Sequence, residues 1–176
     1  MVGFIPEITT KVTVTSDTTQ IDDAISLMES DPILSELSSI IDELQDKKNT
    51  IKSLEEPVGD AVSQSLKSNQ EMIISSKHYI TGMMANSVDI SQDGTDFLVG
   101  NTATSYDGFP YPLAIETGRR EVFPINAKML RWFDGGTPIF ATHSSSVDPD
   151  PFVEPSIDDT MYDIDKIVND AINEVL

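Results

Sequence analysis

Two histidines and two groups of acids are where reactive side chains gather in this sequence. His143 precedes Ser144, Ser145 and Ser146, which sets an imidazole beside hydroxyls it would have to activate in an acyl transfer. That chemistry also needs a group orienting the base and donors for the developing oxyanion. No nucleophile elbow accompanies the run, and the chain has no cysteine, so the run reads as a polar loop. His78 ends a predicted helix, where it caps or meets solvent. Gly135-Gly136 lacks the glycine spacing and the Lys-Ser/Thr of a phosphate loop. Asp93, Gly94 and Asp96 offer hard oxygen ligands to a cation, but no twelve-residue loop with a terminal Glu follows. Asp148, Asp150 and Glu154 are a similar set, and both groups read as turns. No catalytic, cofactor or metal-binding residue is assigned.

Arg119-Arg120 is the one arginine pair. It can dock an acidic neighbour or pair within the chain with Glu116 and Glu121; intrachain pairing is the expectation. Trp132 and Phe133, in KMLRWF, read as core strand residues, with Trp132 at an interface as the alternative. Thirty acids against eleven bases give a net charge of −19, which argues against gripping nucleic acid through its phosphates. Such a surface fits a soluble, aggregation-resistant protein, one adapted to a saline host, or a DNA mimic that fills a basic groove. Spreading of the acids along the whole chain weighs against the mimic. The chain lacks an apolar run long enough to span a bilayer, and the start MVGFIPEITT is not a signal peptide. The absence of cysteine excludes disulfides and fits manufacture in a cytoplasm.

The surrounding elements follow from periodicity. Ile8, Thr10, Val12 and Val14 alternate with Thr9, Lys11, Thr13 and Thr15, a strand pattern. Ile21, Ala24, Ile25 and Met28 mark a short helix. Asp31-Pro32 signals another start, with a stripe of Ile33, Leu37, Ile40, Ile41 and Leu44 that the polar patch 45–50 weakens or turns. Pro57 opens a helix over about 57–78 with Val58, Ala61, Val62, Leu66 and Ile73 on one face. Gly82 stops or bends it, at positive φ. Asp93-Gly94 between β-prone runs predicts a hairpin. YPLAIETG reads as a buried turn, 103–109 as a loop, and 121–124, 129–133 and 138–142 as short strands. Pro149-Asp150-Pro151 stiffens a corner. Ser156 is the expected N-cap of a last helix with a continuous stripe of Ile157, Met161, Ile164, Val168, Ala171 or Ile172, and Val175. Together these predict one α+β domain: an N-terminal strand and helices over 1–56, then helices on a small, mostly antiparallel sheet with a C-terminal helix over 57–176.

Three segments in order carry a resemblance. Thr81, Gly82, Met83 or Met84, Ser87 and Val88 are similar to a Thr-Gly-x-Leu-x-x-Ser-Ile element. Tyr111, Leu113, Ala114, Glu116 and Gly118 are similar to Tyr-Ala-x-x-x-Glu-x-Gly-Thr. Pro149, Pro151, Phe152, Pro155 and Ser156 are similar to a Pro-x-Pro-Phe-x-x-Pro-Ala corner. In this order, over residues 57–176, the chain resembles the tail-completion (neck, tail-component) proteins that join head and tail in long-tailed double-stranded DNA viruses. Tyr79-Ile80 stands where the family has Pro-x-Asp/His, Arg119-Arg120 replaces a small polar residue, and residues 20–56 are additional.

The resemblance implies a non-enzymatic virion protein, without cofactor, assembled in the host cytoplasm. It implies a ring of copies of itself, a hexamer by family habit, between the tail tube protein and the head connector or adaptor proteins. DNA would pass without specific binding, and no membrane is involved. The structural or interface residues implied are Thr81, Gly82, Ser87, Tyr111, Glu116, Gly118, Arg119, Arg120, Trp132, Pro151 and Phe152. The alternative function is that of an acidic DNA-mimic inhibitor of a basic nucleic-acid-binding protein.

Overall fold

The structure, a computed structural model, describes residues 8–31, 34, 38–77, 82–104, 110–134 and 137–175, without the side chains of 132–134. The β-branched alternation forms β1 (Ile8–Val12), with its even side half-buried and Thr9 and Lys11 exposed. α1 (Thr19–Ser30) buries Ile25. The Asp31-Pro32 start is only partly described: Pro32, Ile33 and Leu37 lie outside the described residues. α2 (Ser38–Ser53) runs straight through the polar patch expected to turn it. Polarity is not helix breaking: Gln and Lys are good helix formers, Glu43 pairs with Lys47 one turn on (2.9 Å), and the Thr50 hydroxyl donates to the Asp46 carbonyl.

α3 (Glu55–Lys77) begins two residues before Pro57. Proline is tolerated there because the first turn has no carbonyl partners for its N–H groups. Val58, Gly59, Ser63, Leu66, Gln70 and Ile74 are buried. The spacing is helical, as expected, but the face carries Ser63 and Gln70, and Ile74 is buried more deeply than Ile73. Gly82 has φ 72°, as predicted, and a 3-10 turn at Ala85–Ser87 leads into β2 (Val88–Asp93). Gly94, at φ 65°, turns the chain into β3 (Asp96–Asn101), completing the expected Asp-Gly hairpin. The three strands lie in the order β1-β3-β2.

YPLAIETG is a correction: residues Tyr111–Thr117 form a helix, α4, ended by Gly118. Its proline sits in the first turn, where a helix accepts it. A second, antiparallel sheet pairs β4 (Leu130–Asp134) with β5 (Thr137–Ala141), Trp132 opposite Ile139. The strand expected at 121–124 is a single bridge, Val122 to Ser144. The last helix is two, α5 (Val153–Tyr162) and α6 (Ile164–Val175). The Asp163 carbonyl accepts the Ile167 N–H and so starts a new helix, a position that suits aspartate. The continuous stripe is broken with it: Met161 is 57% and Val175 47% exposed, while Ser156 and Thr160 are buried. The described residues thus form an α+β fold of helices with small antiparallel sheets.

Two compact units share the chain. One comprises the described parts of Met1–Thr9, Gln70–Asp89 and Gly100–Asp158. Its core includes Ile74, Met84, Val88, Ala103 and a fully buried Phe152. The Asn101 amide donates to the Met84 carbonyl at 2.9 Å and receives the Ala103 N–H, so a buried polar side chain is satisfied. The other unit comprises the described parts of Thr10–Asn69, Ile90–Val99 and Asp159–Leu176. It centres on Ile25, Val58, Leu66, Phe97, Val99 and Ala171. There Gly59 lies under the Phe97 ring: a Cβ would sit 2.6 Å from it. Asn69 donates to the buried Thr160 hydroxyl at 2.9 Å.

Candidate functional site

Residues 111–156 bring two of the three family-like segments together within the first unit. Helix α4 presents the Glu116 carboxylate to the start of α5. One oxygen accepts the N–H groups of Phe152 (2.9 Å) and Val153 (3.3 Å). These are donors a helix N-terminus leaves without intrahelical partners, and a carboxylate there also suits the helix dipole. Glu116 therefore takes the capping role expected of Ser156. Ser156 instead lies buried in the first turn of α5 and donates to the Val153 carbonyl at 2.6 Å. Beside it the Asp150 N–H donates to the Ile115 carbonyl (2.9 Å), and Lys77 pairs with Asp150 (2.8 Å).

Gly118 closes this corner. Its φ and ψ of 74° and 171° are open in practice only to glycine. A Cβ would also lie 2.9 Å from both the Val147 carbonyl oxygen and a Pro149 ring carbon. Immediately after it an arm begins. Arg119 and Val147 exchange two backbone hydrogen bonds at 2.8 Å, Val122 and Ser144 exchange two at 2.9 Å, and β4 and β5 end the arm. Seven residues, 123–129, face only two, 142–143, between the Val122–Ser144 bridge and the Leu130–Ala141 pair.

The expected pairing of the arginines with Glu116 and Glu121 is corrected. Glu116 is engaged at α5, and Glu121 faces His143 at 3.3 Å. The Arg119 guanidinium donates across the arm to the Ser144 hydroxyl (2.8 Å) and the Ser145 carbonyl (3.1 Å). Arg120 is exposed and, among the described residues, has no hydrogen bond or ion pair. His143 stacks on Phe123, centroids 5.8 Å apart. The two acid groups expected to be turns hold internal partners: Asp96 accepts from Thr13 and pairs with Lys11, and Asp150 pairs with Lys77.

Of the remaining expected residues, Thr81 and His78 lie outside the described residues, as does the side chain of Trp132. The Ser87 hydroxyl donates to the Met83 carbonyl, and its own carbonyl accepts the Thr102 N–H. Tyr111 opens α4, where burial pushes its phenol above the ordinary tyrosine range. Pro151 is half-buried, whereas Phe152 is core and not surface. Sequence reasoning passed over the apolar side chains of the arm: Ile125 is 94%, Phe123 59% and Phe140 57% exposed. A compositional signal for the arm was present, because all three arginines of the chain fall between 119 and 131.

Among the described residues, no group of three or more His, Asp or Glu side chains could hold a metal ion, and no helix is long and apolar enough to cross a membrane. Comparison with family models, curated proteins and solved structures gives no match.

Proposed function

We propose that this protein is a structural component of the neck or tail-completion region of a long-tailed DNA virus, forming a ring that joins the tail tube to the head connector. The observation that carries the reading is the Glu116 corner. Tyr111–Gly118 and Pro149–Ser156 are separate family-like segments of the sequence, and one carboxylate binds them into a single device. The residues those segments have in common with the family are spent on local architecture: Gly118 on an otherwise forbidden turn, Glu116 on a cap, Phe152 on core. An assembly role then rests on surfaces and not on a reaction centre. The arm, and the 143–151 segment at its base, are the parts suited to reach neighbours, and the net charge of −19 lets DNA slide past without sticking.

Six copies at this charge repel one another. The Debye length falls from about 10 Å at 0.1 M salt to about 3 Å at 1 M, so rings are favoured at high salt or on a tail-tube end that acts as template. Electron microscopy of the purified protein across that salt range, and of virions labelled with an antibody to it, tests the reading. Rings, or label at the head–tail junction, support it. A protein that stays monomeric throughout and instead binds a basic nucleic-acid-binding protein tightly at low salt would be the acidic mimic.

A further inference from the structure

The arm and the C-terminal helices are opposite in charge and alike in their uncovered apolar side chains. Residues 119–147 hold four bases against two acids, in a chain whose net charge is −19. Their apolar side chains Phe123, Ile125, Met129 and Phe140 are about half exposed or more. Residues 153–175 hold seven acids against one lysine. On α5, Asp158, Met161 and Tyr162 fall at i, i+3 and i+4, one exposed face, with Met161 57% and Tyr162 90% exposed. Single apolar residues on a surface are ordinary, but grouped ones rimmed by charge mark contact sites.

We infer that the arm of one copy docks on the α5–α6 surface of a second copy, a head-to-tail contact in which the arm's bases meet the helices' acids. The occupant is another copy of this chain because the chain itself presents both complementary surfaces, and Ile125 and Tyr162 each stay almost wholly exposed within one copy. Charge complementarity sets partner and register, while the apolar side chains supply the contact that survives in salt. Two different patches make the contact heterologous, so repetition closes a ring if the rotation fits and otherwise runs on as a filament. The inference deepens the proposed ring and rests on that reading.

Because the chain has no cysteine, disulfide trapping tests the contact directly. Ile125→Cys and Tyr162→Cys replace exposed side chains and should leave the fold intact, which circular dichroism of each variant checks. Each is oxidised alone and in an equal mixture, across the salt series used for microscopy. The expected result is a cross-linked dimer in the mixture and little in either variant alone. A second arm of the test combines Arg120→Glu with Lys128→Glu, which should weaken the cross-link most at the low-salt end of the series, where charge is least screened; adding Asp158→Lys and Asp159→Lys to the partner variant should restore it there. Rings without cross-linking in the mixture would overturn the arm contact and leave the ring reading standing. Cross-linking of Ile125→Cys to itself would replace it with an arm-to-arm contact. Monomers under every condition, with or without tail ends as template, would overturn both.

Discussion

Gly118 and Gly94 allow the cost of a close approach to be separated from that of an unusual backbone. Both have positive φ, 74° and 65°. At Gly94 an added Cβ meets nothing within 4 Å, so Gly94→Ala pays only for the left-handed backbone, about 1–2 kcal/mol. At Gly118 the conformation itself costs an alanine about 1–3 kcal/mol. The new methyl would also press at 2.9 Å on a backbone oxygen and on a proline ring. Neither can rotate away, and overpacking of this kind adds about 1–3 kcal/mol. The central value for Gly118→Ala is thus about 4 kcal/mol. At about 2–4 °C per kcal/mol for a chain of this size, it should melt about 8–16 °C below the parent, against about 2–8 °C for Gly94→Ala. Thermal unfolding followed by circular dichroism measures both in one buffer. Equal losses would mean that Gly118 does not hold the arm against Pro149, and the close approach at this corner would be refuted.

Three further outcomes are expected. Glu116→Ala should lose about 0.5–2 kcal/mol as the start of α5 loses its cap, and Glu116→Gln should recover part of it because the amide oxygen still accepts; urea unfolding in which the two variants behave alike would argue against the cap. Bonds first from Lys11 and then from Thr13 hold the Asp96 carboxyl below the usual carboxylate range, so its contribution is present above the unfolded pKa and is lost as pH falls through the folded one. Asp96→Asn should therefore be less stable than the parent at pH 7, with the gap closing below about pH 4, and a gap independent of pH would remove the charge from the explanation. Gln70 is 2% exposed and its side-chain amide has no hydrogen bond among the described residues, so Gln70→Leu should raise the melting temperature by a few degrees; a fall of similar size would show that the amide has a partner.

Local signals were read well where one residue type has one physical use. Gly82 stands at positive φ and Asp93-Gly94 turns a hairpin, both as expected, and the β-branched alternation at the N-terminus makes a strand. Reading by apolarity misled where burial was not apolar. Ser63, Gln70, Ser156 and Thr160 occupy buried helix positions that a search for hydrophobic stripes passes over, while Met161 and Val175, which complete such a stripe on paper, are exposed. The YPLAIETG segment is a helix and not a turn, with Pro112 in the first turn where a helix tolerates it. The Glu116 cap was the least visible feature. It joins residues thirty-six positions apart, and no local pattern around Phe152 announces a carboxylate arriving from another helix.

The uneven pairing within the arm bears on how such a protein can change over generations. Seven residues stand against two between the Val122–Ser144 bridge and β4–β5. A strand ladder normally transmits any insertion along its length, since a slip of one residue turns every later side chain to the opposite face. Here the ladder is already interrupted, so residues gained or lost in 124–128 need not alter either the Arg119–Val147 root or the Leu130–Ala141 register. The arm can thus evolve in reach while its foot and its tip keep their own geometry, a separation that would let a lineage retune its fit to a changing neighbour by small insertions and deletions alone.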